Sequence, residues 1–142
     1  MSNKAVENIL NDKNIRPTAM RILVYQTLSS SETAISLTDL ENNFESADRT
    51  TLYRTIKTFE NQGVVHAIED GTGITKYALC HAFCNEEKHK DLHLHFHCTI
   101  CEETSCLTDY SIPKIRLPKD YIAQDVDLIV KGICQRCNSS AL

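Results

Sequence analysis

The chain has 142 residues, 42% of them hydrophobic and 24% charged, with a net charge of −4. That length leaves room for one domain or two small ones and excludes a doubly wound sheet or an eight-stranded barrel of strands and helices. No apolar run approaches the roughly 20 residues that cross a bilayer, and Met1 to Glu7 lack the basic start and apolar stretch of a secretory signal, so a cytoplasmic protein is expected.

The first predicted element is a helix over Lys4–Asn11, with Val6, Ile9 and Leu10 at helical spacing. A second starts after Pro17, with Thr18 able to cap it and Ile22, Leu23 and Leu28 facing inward. A third begins at Ser36, where Asp39 stands in for the glutamate of a capping box, and it buries Leu37, Leu40 and Phe44. The fourth runs from about Arg49 to Gln62 behind Ser46 or Asp48 as cap. Leu52, Ile56 and Phe59 form its apolar stripe, Thr50, Arg54 and Lys57 lie on the other side, and Gly63 stops it.

Two strands then flank the glycine-rich turn Asp70-Gly71-Thr72-Gly73, one over Val64–Ile68 and one over Ile74–Leu79. Helices that end in such a hairpin, with a basic, tyrosine-bearing face on the last helix, describe a winged helix-turn-helix. The charge distribution agrees better with DNA binding than the net charge does. Six of the eight basic residues before position 80 fall in two acid-free windows, Lys13, Arg16 and Arg21 in one and Arg49, Arg54 and Lys57 in the other. A helix carrying such a face suits the major groove, its cations meeting phosphates and base edges, with Tyr53 reaching a phosphate or a thymine methyl. The competing reading is a solvated helix face.

All seven cysteines and five of the six histidines lie after residue 79, which marks the strongest boundary in the chain. An odd number of thiols in a reducing compartment points to metal or redox chemistry rather than disulfides. Cys98-x-x-Cys101 and Cys134-x-x-Cys137 are two knuckles that together complete a tetrahedron around one structural zinc, with 32 residues looped out between them. A four-thiolate iron centre and a thiol switch are the alternatives. About 60 residues bury too little apolar surface to stand comfortably alone, so a metal staple is expected there.

Leu92-His93-Leu94-His95-Phe96-His97 alternates strictly, which predicts a strand with the apolar residues inward and three imidazoles opposite. His93 and His95 can share an ion. Cys80, Cys106 and His66 are further donors within reach, His66 from the wing hairpin; His81, Cys84, His89 and His97 receive no role. A second alternating segment from Tyr121 to Ile133, with Ile122, Val126, Leu128 and Val130 in phase, predicts a strand of an antiparallel sheet that extends across a dimer.

Taken together, the order of parts resembles the ferric uptake regulator (Fur) family of metal-dependent repressors. The resemblance rests on Arg16-Pro-Thr-Ala-Met-Arg21, on Thr51-Leu-Tyr-Arg-Thr55 followed by Gly63-Val-Val, on His93-x-His95-x-x-Cys98-x-x-Cys101 and on Cys134-x-x-Cys137. It implies an α+β chain: a winged helix-turn-helix DNA-binding domain over residues 1–79, then a small α/β dimerisation domain with structural zinc over residues 80–142. It further implies a homodimer on a palindromic operator of double-stranded DNA, with no membrane and no small-molecule substrate. Arg16 and Tyr53 match family positions that approach DNA, and Arg54 stands beside them; Arg49, Thr50 and Lys57 complete the expected DNA face.

Departures from the family pattern narrow the metal. Ala78 and Cys106 stand where iron and peroxide sensors carry acids, and Ser31-Glu-Thr-Ala34 lacks a histidine often found there. Cys80 and His66 instead match the zinc uptake regulator (Zur) branch, and Leu92 and Leu94 replace ligands of an accessory site. Sulfur in place of oxygen favours zinc over iron(II) or manganese. The expected exchangeable site is therefore Cys80, His93 and His95 with His66 as fourth ligand, Cys106 being its rival. An iron- or peroxide-sensing member of the family and a zinc-stapled interaction module without DNA binding are the alternatives. A metalloenzyme is disfavoured, since no His-Glu-x-x-His and no deaminase signature occurs.

Overall fold

The structure, a computed structural model, describes residues 2–79, 93–107, 113–124 and 126–140. Cys80, His81, Cys84, His89 and Leu92 lie outside them, and the side chain of His93 is likewise not described. Chain order is α1 (Asn3–Asp12), α2 (Ala19–Ser30), β1 (Ile35–Ser36), α3 (Leu37–Asn42), α4 (Arg49–Asn61), β2 (Val65–Glu69), β3 (Thr75–Leu79), β4 (His93–Cys98), β5 (Thr104–Cys106), β6 (Asp127–Gly132) and α5 (Gln135–Ser140).

Side-chain caps start the N-terminal helices, because the first N–H groups of a helix have no partner within it. Ser2 receives Ala5 N–H, Thr18 receives Arg21 N–H, Ser36 receives Asp39 N–H and Asp48 receives Thr51 N–H. The last of these settles the cap of α4 on Asp48. At the other end of α4, Gly63 adopts φ 75°, a left-handed stop that costs any other residue strain.

The core gathers one face from each element. Val6 and Leu10 of α1, Val24, Tyr25 and Leu28 of α2, Leu40 of α3 and Leu52, Ile56 and Phe59 of α4 pack together with Val64, Val65 and Tyr77 of the hairpin. Leu23 departs from the expectation: it is 47% exposed. Ile22, Leu23, Val24 and Tyr25 are consecutive, and at 100° per residue four apolar neighbours in a row cannot all face one way.

The hairpin pairs β2 with β3 in antiparallel register, Val65 opposite Leu79 and Glu69 opposite Thr75. The two residues of β1 add to β3, completing a sheet in the order β1-β3-β2. Helices backed by this small sheet make the winged helix-turn-helix expected from the sequence.

A second sheet, in the order β5-β4-β6, differs from the expectation in two respects. β6 pairs with β4 in parallel, His93 opposite Asp127 and Cys98 opposite Gly132, while β5 is antiparallel to β4. It also begins at Asp127 rather than Tyr121, leaving Ile122 88% exposed ahead of it. In β4 the imidazole side proves the more buried: His95 and His97 are 2% and 5% exposed, whereas Leu94 and Phe96 are only half-buried. The reason is that the wing hairpin lies against that side.

Candidate metal centres and DNA face

The two knuckles meet at one end of the second sheet. Cys98 closes β4, Cys101 follows the turn after it, Cys134 comes just past β6, and Cys137 sits on the short helix α5. Their four sulfurs lie within 4.8 Å of one another. Cys101 Sγ and Cys134 Sγ are 3.9 Å apart; four sulfurs at zinc–thiolate distance on a tetrahedron stand about 3.8 Å apart. The donor set and its spacing thus fit a tetrahedral ion.

Backbone groups prepare this cluster for a cation. Cys134 N–H donates to the buried Cys98 Sγ at 3.4 Å. That N–H first, with those of Cys101 and Ile100 behind it, holds the Cys98 thiol down to about 6. Cys137 moves the opposite way, pushed up to about 12 by its hydrogen bond with the Cys134 thiol, by burial and by the sulfurs of Cys98 and Cys101. Sulfurs packed this closely repel one another as thiolates. A divalent ion removes that conflict, which is why such ligation releases protons.

A second group joins the wing to the sheet. His66 of β2, His95 of β4 and Cys106 of β5 present their donor atoms within 4.8 Å of one another. The two Nε2 atoms are 3.4 Å apart and the rings are tilted by 40°. Two imidazole nitrogens on a tetrahedral zinc at ordinary bond length stand roughly 3.3–3.4 Å apart. Cys106 reaches the site because it is the cross-strand partner of His95. Of the two candidates for the fourth position, His66 and Cys106, the structure brings both to His95. Among the described residues the group contains no carboxylate.

Sequence reasoning missed a third grouping. Asp70, Thr104 and His97 are buried, with the half-buried Lys76 beside them, between the wing turn and the second sheet. Burial alone would raise the Asp70 pKa, but hydrogen bonds from Thr72, Thr104 and Lys76 outweigh it and hold the carboxyl well below the usual carboxylate range. Strict alternation in β4 flagged His97 as a polar position, yet a turn aspartate gave no signal.

On α4, Thr50, Tyr53 and Arg54 are exposed. Arg54 makes no ion pair among the described residues. Lys57 is half-buried, lies 5.6 Å from the centre of the Tyr53 ring and pairs with Glu60 at 3.4 Å. Arg49 turns back to α3, meeting Glu41 at 3.0 Å and Thr38 at 3.2 Å. Arg16 is exposed ahead of α2, its carbonyl accepting from Arg21 Nη1 at 3.0 Å. Arg16 and Arg54 are thus the expected cations left open to solvent, while Arg49 and Lys57 are partly neutralised.

A winged helix joined through a shared cluster of ligand atoms to a cysteine-knuckled sheet is the build of a metal-responsive transcription regulator. The family model of the ferric uptake regulators matches residues 12–128, and the chain belongs to that family, whose members are transcriptional regulators rather than enzymes. The fold is shared with a zinc uptake regulator complexed with zinc and DNA, at TM-score 0.68 and 21% identity over 98% of this chain and 94% of that one. It is shared also with holo XcZur, at TM-score 0.66 and 18% identity over 97% of this chain and 99% of that one. The Vibrio cholerae ferric uptake regulator is similar at TM-score 0.63 and 18% identity, over 90% of this chain and 98% of that one. A comparison with curated proteins gave no match. No described helix is long and apolar enough to cross a membrane.

Proposed function

We propose that the chain is a zinc-responsive repressor that binds a palindromic operator as a homodimer. One observation carries this reading: His66 of the wing and His95 of the second sheet bring their Nε2 atoms to 3.4 Å beside the sulfur of Cys106. A donor set of two imidazoles and a thiolate suits zinc better than iron(II) or manganese, which prefer oxygen. His66, His95 and Cys106 supply three ligands of an exchangeable ion, and Cys80 or His93 supplies the fourth. Cys98, Cys101, Cys134 and Cys137 hold a permanent structural zinc.

The division of labour follows the composition shift after residue 79, with a DNA-binding domain over residues 1–79 and a dimerisation domain over 80–142. Because one ligand belongs to the wing and two to the sheet, ligation fixes the angle between them. Only a particular angle sets two recognition helices about one DNA turn, ~34 Å, or a multiple apart. Zinc acts only as far as it binds that arrangement better than the others. A second copy is supported by the position of β6 at the edge of its sheet among the described residues and by the exposed apolar side chains of Ile115, Tyr121, Ile122, Val130 and Ile133.

The decisive experiment is zinc content per chain before and after mild chelation, with operator binding followed alongside. Two zincs, one removable together with operator binding, are expected; one tight zinc, with binding restored by iron or by no metal, overturns the zinc reading. His95→Ala is expected to keep the tight zinc and lose zinc-dependent operator binding, and a variant that still binds only when zinc is added removes His95 from the site. Arg54→Ala tests the DNA face. Affinity should fall uniformly across operator sequences and the slope of log K against log salt should flatten by roughly one. An unchanged slope takes Arg54 off the phosphates.

A further inference from the structure

Asp70 opens the turn of the wing hairpin, a place where aspartates are ordinarily solvated, yet it is 1% exposed. Donors from four segments surround it. Thr72, in the turn itself, gives its backbone N–H at 3.1 Å and its hydroxyl to Oδ1. On Oδ2 converge Thr104 Oγ1 of β5 at 2.7 Å, Lys76 Nζ of β3 at 3.0 Å and His97 Nδ1 of β4 at 3.4 Å. Lys76 continues to the carbonyl of Glu102 at 2.7 Å. His97 Nδ1 is also 2.9 Å from Thr104 Oγ1. Since that hydroxyl gives its one proton to Asp70, it accepts from His97, which fixes the proton of the neutral imidazole on Nδ1.

These contacts cross from the wing to the second sheet. The tip of the hairpin sits equally close: a Cβ placed on Gly71 would stand 2.5 Å from Lys131 Nζ of β6, the strand partner of His97. Thr104 also receives Ala34 N–H on its carbonyl at 2.8 Å, so the loop before β1 joins the same contact. The wing is therefore attached to β4 at two points. His66 meets His95, and four residues further on Asp70 meets His97, two residues along β4. The first point is the cluster assigned to the exchangeable ion; the second is made of protein groups alone.

We propose that Asp70 is a positioning residue for metal sensing: its contacts latch the wing hairpin onto the second sheet in the metal-free chain, so that His66 stands opposite His95 before an ion arrives. This rests on reading His66, His95 and Cys106 as the exchangeable site. A buried ionic contact is weak as a source of stability, but its demand for several donors at once makes it selective for one arrangement. When only part of a population is competent to bind, apparent affinity falls by that fraction. The latch raises the competent fraction without filling it, and zinc, which needs His66 and His95 together, draws in the rest.

The test uses the full-length protein, with zinc titrated in competition with a chromophoric chelator and amide exchange measured after the removable ion is stripped. In Asp70→Ala the exchangeable zinc should bind roughly 10-fold more weakly, the loss that follows when the competent fraction falls to about a tenth. The tight zinc should stay at one per chain, and amides of the hairpin and β4 should exchange faster in the stripped protein. Asp70→Asn, which keeps one acceptor oxygen, should fall between. A variant with wild-type zinc affinity and wild-type exchange overturns the latch. If Asp70→Ala does not fold, Thr104→Val decides by the same two readouts. If the wild type takes up no exchangeable zinc, the functional reading fails, while unchanged amide protection in Thr104→Val would separately overturn the latch.

Discussion

Replacing Cys98 by serine is expected to cost the chain its second sheet as well as the zinc proposed for the four-cysteine cluster. Cys98 is fully buried at the end of β4, accepts the N–H of Cys134 and is the sulfur whose pKa is held down to about 6. A serine hydroxyl is shorter, stays protonated at neutral pH and is a poor zinc ligand, so the tetrahedron loses a corner. Apparent binding energies of structural zinc are on the order of 10–16 kcal/mol, against net stabilities of about 5–15 kcal/mol for whole domains. A three-stranded sheet of short strands has little apolar burial to replace that. Metal analysis should show one zinc fewer per chain, and amide exchange should lose protection in residues 93–98 and 127–132 while α1, α2 and α4 keep theirs. A serine variant with its full metal content and an unchanged melting temperature would show that the cluster does not hold the sheet.

Phe59→Ala carries the largest effect expected in the helical half. Phe59 is fully buried in the core that α4 shares with α1, α2 and the hairpin, and its carbonyl accepts the N–H of Val64 just past the helix stop. Truncating a phenylalanine in a closed core costs about 3–5 kcal/mol, part of it lost transfer energy and part the cavity left behind. Urea denaturation should show the midpoint falling by that energy divided by the m-value, with m itself unchanged. Operator affinity should fall with it, because the same side chain seats the helix that carries Tyr53 and Arg54. A change below about 1 kcal/mol would mean that the neighbours collapse into the space.

The helical half was largely legible in the chain because its signals are local. Thr18, Ser36 and Asp48 announce helix starts within three residues, Gly63 announces a stop, and Leu52, Ile56 and Phe59 mark a face by spacing alone. Leu23 misled because an unbroken apolar run has no phase. β1 escaped since a two-residue strand exists only by virtue of its partner, β3. In the second sheet the alternation of β4 marked two faces correctly, but the expectation that the apolar one is the covered one was wrong. The presence of the wing hairpin decides that, and it belongs to a distant part of the chain. The same holds for the direction of β6: period-two patterning is identical in parallel and antiparallel strands. The cysteine spacing pointed to one cluster, and His66, His95 and Cys106 were each named as donors. Their meeting, and the burial of Asp70 against His97, depend on how the hairpin docks, which no local pattern encodes.

The parallel pairing of β4 with β6 has a consequence for how the chain closes on itself. Strands that run the same way finish at the same edge, so both knuckles leave from neighbouring positions although Cys98 and Cys134 are 36 residues apart. An ion gripped by both knuckles, as proposed, would act as a cross-link around that loop. By the chain-entropy relation for disulfides, closing a loop of this size withdraws about 4 kcal/mol of freedom from the unfolded chain. The length of the intervening segment enters that relation only logarithmically. Insertions within residues 113–124 should therefore be tolerated, whereas a one-residue slip between β4 and β6 would turn Cys98 to the opposite face and leave the link unmade.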